Sequence, residues 1–132
     1  MTPKAMGPKR TTWALLALMA VTAPGCDSGP SGPGALVGTV TGPSLGGVAL
    51  QIVGRGIRGF EGLGETQAYA APLSGTPNAF RVLLVAPQGD ELRFEIQVDD
   101  VAMEDPVMTV VSAAGVDNLT MLTAGIVTRI ER

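Results

Sequence analysis

The chain has 132 residues, with nine lysines and arginines against twelve aspartates and glutamates, one cysteine and no histidine. That length allows one domain, the single cysteine excludes an internal disulfide, and the lack of histidine removes the commonest general base and transition-metal ligand. Lys4, Lys9 and Arg10 are the basic residues before Cys26, whereas all twelve acids follow it together with six arginines, and this balance of −6 sets the chain against nucleic acid.

In chain order, residues 1–25 carry the three parts of a secretory signal: the early positive charges, an uncharged apolar run from Thr11 to Ala23, and the small residues Ala23, Pro24 and Gly25 before Cys26. The apolar run is too short to span a bilayer, which takes about 20 residues. Ala23 to Cys26 resembles the bacterial lipobox. The resemblance implies that Cys26 is thioether-linked to diacylglycerol, that residues 1–25 are removed, and that the mature chain is tethered to a membrane. A lone cysteine exported to an oxidising compartment fits such a modification. Asp27, beside it, resembles an inner-membrane retention signal of some bacteria. The rest of residues 26–34, with the sequence DSGPSGPG, holds only small, polar, Gly and Pro residues and is predicted to be a flexible linker.

From residue 35 to residue 132 no helical period survives for ten residues, and short β-type runs recur instead. Strands are predicted near 35–41, 48–53, 66–71, 80–85, 92–98, 107–113 and 125–131, while 115–124 fits neither period. About seven strands in roughly a hundred residues predict an all-β domain, a small antiparallel β-sandwich. The clearest strand is 92–98, where Leu92, Phe94, Ile96 and Val98 alternate with Arg93, Glu95 and Gln97. Pro87 and Gly89 suit a type I turn, so 80–85 and 92–98 are expected to pair as a hairpin.

The layout of lipobox, short linker and one domain of apolar strands, with the phrase FEIQVDDV, resembles small envelope lipoproteins whose domain is likened to cohesin-type sandwiches. The resemblance implies a protein anchored by lipid in the cell envelope, at the periplasmic face or the cell surface.

Candidate chemistry is sparse. Gly54, Gly56 and Gly59 match the dinucleotide fingerprint, but Phe60 to Glu65 cannot start the helix it requires and no carboxylate stands near 77–82. Arg55 and Arg58 are candidate anion contacts through their guanidinium forks. Asp99, Asp100, Glu104 and Asp105 are candidate calcium ligands, since calcium takes loop carboxylates. Ser44, Ser74 and Ser112 have no histidine or lysine to activate them. Glu61 and Glu65 are a carboxylate pair without an aromatic cleft; Phe60, Tyr69, Phe80 and Phe94 are the aromatics beyond Cys26. The expectation is a non-enzymatic structural or protein-interaction domain without cofactor, with an envelope protein as partner; the alternative is a small ligand-binding module for calcium or an anion.

Overall fold

The computed structural model describes residues 29–87, 89 and 91–132. The predicted signal, Cys26 and Asp27 lie outside the described residues. Within them the chain forms two antiparallel sheets packed as a sandwich, with no α-helix. The nine strands are β1 (Gly34–Thr41), β2 (Leu45–Val53), β3 (Ile57–Gly62), β4 (Gln67–Pro72), β5 (Ala79–Val85), β6 (Glu91–Val98), β7 (Val107–Gly115), β8 (Thr120–Met121) and β9 (Val127–Glu131). A single 3-10 turn, Thr123–Gly125, separates the last two. The four-stranded sheet has the order β3-β6-β1-β9 and the five-stranded sheet the order β4-β5-β2-β7-β8.

Most strands end where glycine, proline or a small polar residue lets the chain turn, and most of these turns carry the chain to the other sheet. Only β4–β5 and β7–β8 are joined within one sheet. The hairpin expected between 80–85 and 92–98 therefore does not form: β5 lies between β4 and β2, and β6 lies between β3 and β1. Both strands bury one apolar face, Val82 and Leu84 on β5 and Leu92, Phe94 and Ile96 on β6, and they present these faces to each other from opposite sheets. The Pro and Gly of the connection mark a reversal of direction, which an arch between sheets needs as much as a hairpin does. Ala86 N–H donates to Gly46 O at 3.0 Å, which carries β5 along β2 to its end.

Three further differences from expectation have local causes. The glycine-rich stretch 54–65 contains β3, because Ile57 and Phe60 pack against the core while Gly56, at φ +72°, makes the turn before it. The segment 115–124 holds β8 and leads into the 3-10 turn. The predicted linker ends earlier than 34, since Gly34 already pairs with Val98 and Gly32 is hydrogen-bonded to the domain.

The core is formed by alternate residues of the central strands: Val40 from β1; Val48, Leu50 and Ile52 from β2; Val82 and Leu84 from β5; and Leu92, Phe94 and Ile96 from β6. Phe94 stands opposite Gly38 in register, and a Cβ on Gly38 would lie 2.6 Å from its ring. Phe60 links the sheets, 6.4 Å from Phe94 and 5.4 Å edge-on from Phe80 of the opposite sheet, measured between ring centroids.

Phe94→Ala is expected to cost about 3–5 kcal/mol, a large share of the roughly 5–15 kcal/mol that stabilises a domain. Gly38→Val is expected to destabilise as well, by driving a side chain into the ring. Glu95→Ala, on the opposite face and set against Glu61 across the strands, is expected to change stability by no more than about 0.5 kcal/mol. Equal urea midpoints for the Phe94 and Glu95 variants would contradict this packing.

Candidate functional site

The candidate anion and calcium residues gather at one end of the sandwich, where the chain enters β1 and leaves β9, whereas Ser44 lies at the other. The strand registers place the turn at 54–56, the loop 99–106 and Arg132 at this end, and the turn at 42–44 and the segment 115–126 at the other. The loop 99–106 is held from both termini of the domain. On one side, Asp100 Oδ1 accepts from Gly32 N–H and Ala102 N–H, both at 2.9 Å, and Val101 N–H donates to Gly32 O at 2.9 Å. On the other side, the Arg132 guanidinium donates to Val101 O at 3.1 Å and Met103 O at 3.0 Å, and pairs with Asp105 at 2.7 Å.

This arrangement distributes the four candidate calcium ligands among separate tasks. Asp99 pairs with Arg58 at 3.0 Å, Asp100 holds two backbone amides, Asp105 pairs with Arg132, and Glu104 is exposed. They do not converge on a common point: among the described residues no group of three or more carboxylate, cysteine or histidine ligands could hold a metal ion. The ion pairs are solvent-exposed and each contributes about 0–1 kcal/mol, so their effect is to orient the loop more than to stabilise it.

The candidate anion contacts are likewise divided. Arg58 is turned to Asp99, whose carboxylate offsets its charge, while Arg55 stands exposed at the tip of the 54–56 turn. The turn's backbone is partly engaged, since Gly54 N–H donates to Asn78 O at 2.9 Å and Gly56 O accepts from Asp99 N–H at 2.8 Å. Gly54, Gly56 and Gly59 lead into a strand rather than a helix, so the fingerprint spacing has no helix N-terminus to act with. Glu61 faces Glu95 across β3 and β6, and Glu65 lies beyond the end of β3.

One feature escaped the sequence reading. The outer face of the five-stranded sheet carries a groove of about 410 Å³ at the end away from Gly34, lined among others by Gly47, Ala49, Leu83, Val85, Ala114 and Val116. Gly46 lets the 115–116 backbone come close at its rim, since a Cβ there would lie 2.8 Å from Gly115 O and Val116, and Gly47 adds no side chain to its floor. None of its lining residues is ionisable, so it offers apolar surface, backbone polar groups and the side chains of Ser112, Asn118 and Thr120, but no acid or base. The signal for it was present in the run Val82–Val85 (VLLV), which is apolar on both faces and so marks the half of β5 beyond Arg81 as a stretch whose outer side carries no charge.

The two amide hydrogen bonds hold the Asp100 carboxyl below the ordinary aspartate value of 3.8, chiefly through Ala102 and then Gly32. A carboxyl lowered in the folded state contributes fully above its ordinary value and loses that contribution as pH falls through the lowered one. The amide proton shifts of Gly32 and Ala102 are therefore expected to titrate together, with a midpoint below 3.8, and Asp100→Asn should abolish both titrations. A midpoint at or above the ordinary value, or titration of one amide alone, would contradict the clamp.

The chain matches no known protein family, and it has no significant match among curated proteins or among solved structures.

Proposed function

We propose that this protein is a lipid-anchored lipoprotein of the cell envelope whose β-sandwich is a non-enzymatic structural or protein-interaction module. The observation that carries this reading is the position of Gly32. It is fixed to Asp100 and Val101, six residues after the lipobox cysteine Cys26. Six extended residues span at most about 20 Å, so an anchor at Cys26 keeps the clamped end of the sandwich close to the bilayer and turns the 42–44 and 115–126 end outward. Two or more acyl chains on Cys26 make such an anchor stable, where one would bind only marginally. With Asp99 and Asp105 in ion pairs and Asp100 holding two amides, the clamped end acts as a mounting, and the sheet faces and edges remain for contacts with other envelope proteins.

Cys26→Ser is expected to release the protein from membranes or to leave it as an uncleaved precursor, read by fractionation and mass determination of the N-terminus. A variant that is trimmed like the parent and still partitions into detergent would overturn the proposal.

A further inference from the structure

We propose that the outer edge of β9 is a self-association site, where a second copy of this chain pairs antiparallel about a two-fold axis at Ile130 and joins the two four-stranded sheets into one. The inference is independent of lipidation and of the module's role.

A sheet edge with unpaired backbone groups is a template for another strand unless the sequence blocks it. Among the described strands, the other three edges are interrupted. β3 bears a register shift between Ile57 and Gly59, β4 ends in Pro72, and β7 is shifted opposite Ala49 and Leu50 and covered at its far end by β8. β9 runs in unbroken register along β1 from Val127 to Glu131, contains no proline, and has no described strand on its other side.

Charge selects the occupant. On the outer face of β9, Arg129 and Glu131 sit two residues apart and contact each other at 3.4 Å, with both side chains more than half exposed. An axis at Ile130 sets Arg129 opposite Glu131 of the second copy, and the reverse, while keeping the core-facing side of both sheets on one side. Axes at Arg129 or Glu131 would instead set like charges opposite each other, which is unfavourable.

The match extends across the sheet. Register places Glu61, Glu95 and Glu131 in one row, through Val37, and Arg93 and Arg129 in the next, through Thr39. The two-fold joins the acidic row of each copy to the basic row of the other. Two copies that each carry a balance of −6 beyond Cys26 thus meet where their charges are complementary.

The test uses the full chain purified in detergent and analytical ultracentrifugation over a wide concentration range. The parent is expected to dimerise reversibly. Arg129→Glu or Glu131→Arg alone should weaken dimerisation about tenfold or more by opposing like charges, with the thermal midpoint showing that each variant is folded. The double exchange R129E/E131R should restore it, and so should an equimolar mixture of the two single variants, as a heterodimer. A parent that stays monomeric throughout, single variants that associate like the parent, or a mixture that fails to pair would overturn the site.

Discussion

The seat of the Phe94 ring over Gly38 is the contact on which the other layers rest. β1 and β6 are the central strands of their sheet, and the glycine leaves on β1 the space that the ring fills from β6. From Phe94 the packing runs through Phe60 to Phe80, so three phenylalanines tie the four-stranded sheet to the five-stranded one. Around them stand Leu, Ile and Val side chains sealed from solvent, each paired in register with residues of the same face. A slip of one residue in β6 would present Arg93, Glu95 and Gln97 to this core, and the arginine and glutamate have no partner there.

That period of two was legible in the sequence, and with it the all-β class and the sandwich. The pairing of the strands was not. A buried face shows that a strand lies against a core without showing which sheet it belongs to, and here six of the eight connections between described strands pass from one sheet to the other. Turn chemistry reports a change of direction within a few residues, whereas the partners of β6 are β1 and β3, set by contacts dozens of residues apart in the chain. β3 was hidden for a different reason. Its glycines lower strand propensity, and two side chains, Ile57 and Phe60, hold it to the core through tertiary contacts.

The candidate site was legible in the same partial way. The cluster of acids at 99–105 was visible as composition, but the groups that engage it come from Gly32, Arg58 and Arg132, at three separate points of the chain. A carboxylate cluster read alone has the chemistry of a cation site. With its partners in place, two of its members neutralise arginines and one orders backbone amides, and the result is a joint between the two ends of the domain. The joint bears on how a tether would act: a force applied before Gly32 meets the hydrogen bonds of Asp100 and Val101 before it reaches the β1 ladder.

The two outer faces of the sandwich are unlike. The four-stranded sheet turns rows of glutamate and arginine outward, whereas the five-stranded sheet turns out Ala49, Leu83, Val85 and Ala114 around an uncharged hollow. The difference follows from strand composition: β6 strictly alternates apolar and polar residues, and β5 is apolar on both sides apart from Arg81. A charged face is selective through register, because a shift of two residues along β9 replaces attraction by repulsion. An apolar face is permissive, since burial is non-directional and depends on area and shape. A domain with one of each can combine a contact of fixed geometry along β9 with a more tolerant one on the opposite sheet, and the two do not compete because they lie on different sheets.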